Sequence, residues 1–207
     1  PRILTGFMKK YPKVKLEIWE YPTEQIIQQL KQELLDCGLL ATPLHNPHLE
    51  EHPLFYESFV VYAAKSNPLY EKKVVRAEEL ELKDVWLLNE GHCMRNQVLN
   101  ICNDKFTMGE HKNLEYNTGS VETLKRMVDL NEGYTILPEL SLQDLSARQL
   151  NMVRYFKAPE PVREISLVTH RHFIKQALIE AFKKEILAHV PEKTKVQKNK
   201  KVIEINI

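Results

Sequence analysis

A largely apolar run, FYESFVVYAA at residues 55–64, decides the fold prediction. Aromatic and β-branched side chains dominate the run, and both kinds favour strands. The strand that it predicts is long enough to cross from one lobe of a domain to another. The run is broken at Ser66-Asn67-Pro68, because proline has no backbone N–H to donate to a strand ladder.

On the N-terminal side of this run, strand and helix patterns alternate. Residues 14–20 alternate apolar and polar side chains, which predicts a strand. Pro22 and Thr23 open a segment with apolar residues at helical spacing, so we predict a helix that ends at about Leu35. The short apolar run at 38–41 is typical of a buried parallel strand.

On the C-terminal side the same alternation continues. Further strands are predicted at 84–88, 114–117, 133–138, 152–156 and 164–169, and further helices at 77–82, 93–102, 120–130 and 173–190. Such alternation indicates an α/β fold with mainly parallel sheets. Residues 191–207 differ, because Pro191 stops the preceding helix and the lysine-rich segment after it has no helical face. We predict a loose, solvated tail there.

The composition is that of an ordinary globular protein of 207 residues, with 43% hydrophobic and 28% charged residues. The formal net charge of +1 gives no electrostatic footprint for nucleic acid, so we do not expect this chain itself to touch DNA. No apolar stretch approaches the roughly 18 residues of a membrane span, and no secretory signal is visible. We expect a cytoplasmic protein without membrane contact. The chain starts at Pro1 within an amphipathic helical pattern, so we expect a fragment of a longer protein.

Three cysteines, an odd and low number, argue against a secreted disulfide scaffold. Cys93 follows a predicted strand and a glycine turn and lies where a helix begins. The N-terminus of a helix carries partial positive charge and free N–H groups, which stabilise a thiolate. His92 and Arg95 lie beside it, and each can add a positive charge or a hydrogen-bond donor. Because peroxide oxidises thiolates to sulfenic acid, Cys93 has the surroundings of a reactive cysteine.

Cys102 lies nine residues after Cys93. If the segment between them is helical, the rise per residue puts the two Cα atoms roughly 13 Å apart. A disulfide needs a Cα–Cα distance of about 4.4–6.8 Å, so the helix would have to unwind before the two sulfurs could bond. Two cysteines held apart in this way suit a redox switch, and their strained disulfide would be easily reduced.

Other interpretations of the cysteines stay open at this point. Cys93 and Cys102 suit ordinary core positions equally well, since free cysteine is among the most buried residue types. A metal site is less favoured, because no closely paired spacing such as C-x₂-C is present. Its ligands would be His92, Cys93, Cys102 and His111. A Cys–His hydrolase is similarly disfavoured, because no placed base can be read from the sequence. Cys37 lies among leucines and is interpreted as a core residue.

The segment LLNEGHCMRNQ at residues 87–97, followed by Cys102, resembles the redox centre of the OxyR family, the hydrogen-peroxide-sensing branch of the LysR-type transcription regulators. The family pattern is GHCxRxQ with a second cysteine at this spacing. It is specific, because LysR-type regulators for other ligands lack the pair. The resemblance covers most of the chain, and its further matching segments are LDCGLLA at 35–41, SVETL at 120–124, GYTILP at 133–138 and PEPVR at 159–163.

This resemblance implies a regulatory domain like a periplasmic binding protein, with two α/β lobes joined by two crossover strands. We place the crossovers near 57–62 and 163–169. The implied division is lobe I at 1–58 and 165–190, lobe II with the redox cysteines at 59–164, and a tail at 191–207. We expect the N-terminal helix-turn-helix domain, with which the family binds DNA, to be absent from this chain.

The resemblance also implies roles for single residues. Cys93 matches the peroxidatic cysteine that becomes a sulfenic acid, and Cys102 matches the resolving cysteine that closes an intramolecular disulfide. Residues that match the peroxide pocket or the surroundings of the redox loop are Thr23, His92, Arg95 and Arg163. Without the resemblance, Thr23 also suits a helix N-cap, His92 a turn residue and Arg163 a surface charge.

We expect hydrogen peroxide as the ligand, with no cofactor and no metal. The resemblance implies a dimer or tetramer that forms through the helices near 24–35 and 120–130. The whole protein is then expected to bind promoter DNA through the missing domain, to contact RNA polymerase, and to be reduced by glutaredoxin or thioredoxin. Oxidation would change the geometry of the oligomer and activate oxidative-stress genes.

Two other kinds of function share this fold or this chemistry. A LysR-type regulatory domain for a small organic inducer, or a solute-binding protein, would have the same fold, so the fold alone does not discriminate. A thiol peroxidase would use the same two cysteines, but a sensor needs only one stoichiometric turnover. We therefore expect a regulator and not an enzyme.

Overall fold

The computed structural model describes residues 2–89, 92–102, 118–130 and 132–205. These residues form two compact units. Unit 1 comprises the chain up to residue 56 together with residues 164–197, and unit 2 comprises residues 57–163 together with the described residues from 198 onward. Three features named above lie outside the described residues, namely the turn at 90–91, His111 and the predicted strand at 114–117.

The helices among the described residues are α1 (Arg2–Lys10), α2 (Thr23–Lys31), α3 (Cys93–Ile101), α4 (Val121–Leu130), α5 (Ala147–Leu150) and α6 (Gln176–His189). The strands are β1 (Gly38–Thr42), β2 (Leu49–Ala63), β3 (Val74–Val75), β4 (Tyr134–Pro138), β5 (Val153–Phe156), β6 (Glu160–His170) and β7 (Lys200–Val202). Short 3₁₀ turns are formed by Pro68–Glu71, Ala77–Glu79, Leu82–Asp84, Glu139–Leu142 and Glu192–Lys195. None of the described helices is both long and apolar enough to cross a membrane.

Unit 1 contains β1 and the part of β6 that pairs with it. The ladder is antiparallel and runs from Gly38 opposite Val168 to Thr42 opposite Glu164. The prediction of a parallel strand at 38–41 is therefore wrong in direction, because a short apolar run indicates burial and does not encode the sense of pairing. The core that joins α2 to this sheet consists of Ile27, Leu30, Leu40, Leu49 and Val168.

Unit 2 is built on β2, which pairs antiparallel with β4 and with β5. β3 pairs parallel with β5, and β7 pairs parallel with β6. The described sheets are thus mixed, which corrects the expectation of mainly parallel sheets, while the α/β class is confirmed. Helix α3 belongs to the same hydrophobic core as these strands through Met94, Val98 and Ile101, and Cys102 at its end joins them.

Two predictions near the N-terminus are wrong. Residues 14–20 have no regular structure, and Ile18 and Trp19 are more than half exposed, at 57% and 60%. No described strand pairs with this segment, and without a ladder its backbone groups gain nothing from an extended conformation. Helix α2 ends at Lys31, earlier than predicted, because Glu33 adopts a left-handed conformation with φ of 57°, which terminates a helix.

Two predictions in unit 2 are only partly met. The helix expected at 77–82 is a single 3₁₀ turn, and the strand expected at 84–88 is reduced to one parallel bridge between Val85 and Tyr134. Each segment is too short to form the ladder or helical turns that its pattern suggested. The predicted elements that are confirmed are β2, α3, α4, β4, β5, β6 and α6.

The C-terminal segment is packed, so the prediction of a loose tail is wrong for its described part. Strand β7 lies beside β6, and the backbone N–H of Ile203 donates to the Val162 carbonyl at 2.8 Å. Ile203 and Ile205 are 6% and 7% exposed. Lysines dominate the composition here, but two isoleucines at a spacing of two residues give the segment one buried face.

Candidate redox site

The first turn of α3 carries Cys93. His92 is the N-cap residue in an extended conformation, with φ of −92° and ψ of 118°, and its side chain makes no capping hydrogen bond. Cys93 is a free cysteine and partly exposed. The first N–H groups of a helix have no partner within it and carry partial positive charge. Cys93 therefore lies at the positive end of the helix, in a partly exposed position.

Arg95 lies in the same turn and is tied to the segment that leads into the helix. Its guanidinium Nη1 donates to the Leu88 carbonyl at 3.1 Å, and its backbone N–H donates to the His92 carbonyl at 2.9 Å. Both contacts hold a fixed positive charge beside the start of α3. The arginine therefore adds to the field of the helix N-terminus.

His92 lies against the loop that precedes α4. A Cβ atom at Gly119 would be 2.8 Å from His92 Nε2, which is closer than a side-chain contact allows. The backbone N–H of Asn89 donates to the Thr118 carbonyl at 2.9 Å, so the two chain segments run side by side. Only glycine fits at position 119 without displacing the imidazole. The sequence offered no signal for this contact, because the two residues are far apart along the chain.

Cys102 is the C-cap residue of α3 and is 4% exposed. Its backbone N–H donates to the Val98 carbonyl at 3.2 Å. Burial raises the pKa of the Cys102 thiol to about 11, and hydrogen bonding with the Tyr134 hydroxyl offsets this only in part. Cys102 is therefore a neutral thiol at neutral pH, stored within the core of unit 2. Tyr134 is a second contact that the sequence did not indicate.

The two cysteines stand at opposite ends of one helix of nine residues, and both are free. The predicted helix between them is confirmed. With a rise of about 1.5 Å per residue, their Cα atoms are roughly 13 Å apart along the axis. That is about twice the largest distance that a disulfide spans. The pair therefore cannot form a disulfide while α3 stays intact.

Arg163 pairs with a buried carboxylate. Its Nε and Nη2 atoms lie 2.8 Å and 2.7 Å from Glu57 Oε2, and Glu57 is 3% exposed. The other carboxylate oxygen accepts a hydrogen bond from the Leu140 backbone N–H at 3.0 Å. Among the described contacts none joins Arg163 to α3. This arginine neutralises a buried charge at the edge of unit 2, so it is more than a surface charge.

Thr23 is the first residue of α2 and belongs to unit 1, whereas the other five candidate residues belong to unit 2. It is 7% exposed. The N-cap of the helix is Pro22, which makes no capping hydrogen bond through its side chain. The interpretation of Thr23 as the N-cap is therefore wrong, and its burial is the feature that calls for an explanation.

Within the described ranges, no group of three or more histidine, cysteine, aspartate and glutamate side chains is arranged to hold a metal ion. His92, Cys93 and Cys102 therefore do not form such a group with one another. Cys37, the third cysteine, belongs to unit 1, and burial raises the pKa of its thiol to about 11. Cys37 is partly exposed, so its interpretation as a core residue is met only in part.

The described residues form two units, and one helix of the second unit has a cysteine at each end. A family profile described as LysR substrate binding domain matches residues 1–191. The chain belongs to this family.

Its relatives are peroxide regulators by name. It is 32% identical over 170 residues to the hydrogen peroxide-inducible genes activator of Haemophilus influenzae, a match that covers 81% of this chain and 55% of the relative. It is 31% identical to the DNA-binding transcriptional dual regulator OxyR of Escherichia coli K12, over 81% of this chain and 54% of the relative. The chain thus spans about half the length of these curated relatives.

Solved structures of OxyR show the same fold. OxyR from Porphyromonas gingivalis matches with a TM-score of 0.89 at 29% identity, over 99% of this chain and 92% of that chain. The reduced form of the OxyR regulatory domain from Pseudomonas aeruginosa matches with a TM-score of 0.78 at 29% identity, over 91% of this chain and 90% of that chain. The α/β class and the family resemblance predicted from the sequence are both confirmed.

Proposed function

We propose that this chain is the sensing domain of a hydrogen-peroxide-responsive transcription regulator, with Cys93 as the peroxidatic and Cys102 as the resolving cysteine. The observation that carries the proposal is the placement of two free cysteines at the two ends of α3, one partly exposed at the positive end and one buried. We take hydrogen peroxide as the oxidant because several relatives are named hydrogen peroxide-inducible genes activators.

The chemistry takes two steps. The Cys93 thiolate attacks one oxygen of hydrogen peroxide, so that an S–O bond forms, the O–O bond breaks and hydroxide leaves to take up a proton. The Cys102 sulfur then attacks the sulfenic sulfur of Cys93. An S–S bond forms, the S–O bond breaks, and the hydroxyl group leaves as water with the proton of the thiol. Peroxide is reduced to water, and the two thiols are oxidised to one disulfide.

Residues around Cys93 support the first step. Arg95 and the helix N-terminus supply positive charge, which stabilises the departing hydroxide. His92 is proposed to line the peroxide pocket. The resemblance also implies a role in peroxide sensing for Thr23, which belongs to unit 1. Arg163 is proposed to stabilise the surroundings of the redox loop through its ion pair with Glu57.

The second step is proposed to be the signal. Cys102 reaches Cys93 only when α3 unwinds and a buried side chain leaves the core. The loop that contacts His92 leads directly into α4. Unwinding of α3 is therefore proposed to shift α4. We propose α4 and α2 as the oligomer surfaces. The whole protein would then regulate promoter DNA through its N-terminal domain, contact RNA polymerase, and be reset by glutaredoxin or thioredoxin.

Mass spectrometry of the reduced chain after treatment with hydrogen peroxide tests the proposal. Peptide mapping is expected to find one disulfide, between Cys93 and Cys102, and the matched variant Cys37→Ser should behave as the wild type. Cys102→Ser is expected to accumulate a sulfenic acid at Cys93 that a dimedone probe traps. If Cys93→Ser still formed an intramolecular disulfide under the same conditions, the proposal would be wrong.

The description of the family profile, a substrate binding domain, favours one alternative, a regulatory domain for a small organic inducer. A thermal-shift screen against metabolites, performed on Cys93→Ser, separates the two functions. A metabolite that raises the melting temperature of this variant as much as that of the wild type would support the alternative. The proposed function predicts no such metabolite.

A further inference from the structure

The C-terminal segment Lys200–Ile205, here called the C-terminal clamp, makes direct hydrogen bonds to α3. The side chain of Gln97 donates through Nε2 to the Ile203 carbonyl at 3.0 Å. One turn further on, Asn100 donates through Nδ2 to the Glu204 carbonyl at 3.2 Å. Two amide side chains on one helix face thus hold consecutive carbonyls of the clamp.

The clamp is itself anchored in unit 2. Its first part is β7, which pairs with β6, and the Ile203 N–H donates to the Val162 carbonyl at 2.8 Å. The Ile203 side chain belongs to the hydrophobic core that also contains Ile101 and Cys102. A rigid sheet edge therefore holds the half of α3 that ends in the buried cysteine.

The clamp lies beyond residue 191, where the match to the family profile ends. Its composition gave no hint of a role, because lysines surround its few apolar residues.

We propose that Gln97 and Asn100 are positioning residues that fasten α3 to the clamp and so set how readily Cys102 reaches Cys93. This inference rests on the proposed function and concerns its second step. Unwinding of α3 separates both amides from their carbonyl partners. The clamp therefore stabilises the reduced, helical state and opposes closure of the disulfide, and it makes no described contact with the turn where Cys93 meets peroxide.

The two amides differ in how tightly they hold. Gln97 is fully buried, and its Oε1 atom has no hydrogen-bond partner among the described residues. One described bond, from Nε2, therefore fixes the side chain inside the core. When α3 lifts away, this bond is lost before water can replace it. The Asn100 bond is exposed, so water replaces it at little cost. Loss of the Gln97 bond should therefore accelerate disulfide formation more than loss of the Asn100 bond.

The test measures the two oxidation steps separately in the whole chain. Gln97→Met keeps the length of the side chain and removes the donor. We expect the disulfide to form from the sulfenic acid about tenfold faster than in the wild type. The midpoint potential of the Cys93–Cys102 disulfide should be about 30 mV more negative than in the wild type. For a two-electron couple this shift corresponds to the same tenfold factor. Trapping of the sulfenic acid in the Cys102→Ser background should proceed at an unchanged rate with and without Gln97→Met.

Asn67→Ala is the matched control, because it removes another buried hydrogen bond of a side-chain amide in unit 2. In this bond the Leu69 N–H donates to Asn67 Oδ1 at 3.0 Å. Neither residue lies in α3, so the second step should keep its wild-type rate. Asn100→Ala alters a partly exposed side chain outside the hydrophobic core, and it should accelerate the second step about twofold. It gives the decisive reading if Gln97→Met fails to fold.

The possible outcomes separate the two proposals. A wild-type chain that forms no Cys93–Cys102 disulfide overturns the proposed function, and this inference with it. A wild-type chain that forms the disulfide, with Gln97→Met and Asn100→Ala both closing it at the wild-type rate, overturns this inference alone. An equal acceleration by Asn67→Ala also overturns it, because general loss of stability would then explain the result.

Discussion

The two ends of α3 place the same kind of side chain in opposite surroundings. At the N-terminal end Cys93 is partly exposed, beside an arginine and the positive end of the helix. At the C-terminal end Cys102 is 4% exposed, and burial raises the pKa of its thiol to about 11. The comparison teaches that position on the helix, and not residue type, decides which cysteine can meet an oxidant and which is held back.

Four further contacts reinforce this asymmetry. Among the described residues, the first end is held by the Arg95–Leu88 hydrogen bond and by the packing of His92 against Gly119. The second end is held by the core and by the side-chain amides of Gln97 and Asn100. A barrier to the second step therefore follows from packing alone. A substitution at one end of α3 should therefore change the reaction of the cysteine at that end and leave the other end unaffected.

The largest effect is expected from Arg163→Ala, which touches neither end. It leaves the buried Glu57 carboxylate without its partner, so the free energy of unfolding should fall by about 3–5 kcal/mol in urea titrations. The double variant Glu57→Gln with Arg163→Met removes both charges and should recover most of the loss. If Arg163→Ala were as stable as the wild type, the ion pair would have no part in holding unit 2.

The next largest effect isolates the buried end. The folded chain holds the Cys102 thiol neutral, because burial raises its pKa to about 11 from the ordinary value of 9.0. Its contribution to stability is therefore fully present below about pH 9 and is lost as pH rises toward about 11, amounting to about 2–3 kcal/mol. Urea unfolding at several pH values should show a steeper alkaline loss for the wild type than for Cys102→Ala.

Val98→Ala is the control for this pH dependence, because it removes packing from the same core without removing a titrating group. It should lower the stability at every pH and keep the alkaline slope of the wild type. Equal slopes for the wild type and Cys102→Ala would contradict the description of Cys102 as a thiol whose neutral form is enforced by burial.

The smallest effect isolates the exposed end. Gly119→Ala places a Cβ atom 2.8 Å from His92 Nε2 and must displace the imidazole. Formation of the Cys93 sulfenic acid should slow about tenfold, while its conversion to the disulfide keeps its rate. Ser120→Ala perturbs the same loop, where Ser120 Oγ accepts from the Thr123 N–H at 3.4 Å, and should leave both rates unchanged. A slower conversion of the sulfenic acid to the disulfide in Gly119→Ala would contradict the claim that the two ends of α3 act independently.

Much of α3 and its cysteines could be predicted from the sequence. The helical spacing after Cys93, the glycine turn before it and the motif around it are all local, so a pattern of neighbouring residues is enough to reveal them. The same locality explains why β2 and α4 were predicted correctly.

Contacts between distant parts of the chain could not be predicted in this way. Neither the closeness of Gly119 to His92 nor the hold of Ile203 on Gln97 leaves a pattern in the sequence, because each depends on how separate segments come together. The direction of β1 is undetermined for the same reason. The C-terminal clamp was misread because composition averages over lysines and two buried isoleucines.

The central claim is that a disulfide between Cys93 and Cys102 requires α3 to unwind. Hydrogen–deuterium exchange of the backbone amides from 97 to 102, compared between the reduced and the peroxide-oxidised chain, tests it directly. We predict slow exchange in the reduced chain, fast exchange once the disulfide has formed, and slow exchange in peroxide-treated Cys102→Ser. A chain that carries the Cys93–Cys102 disulfide and still protects these amides would contradict the account.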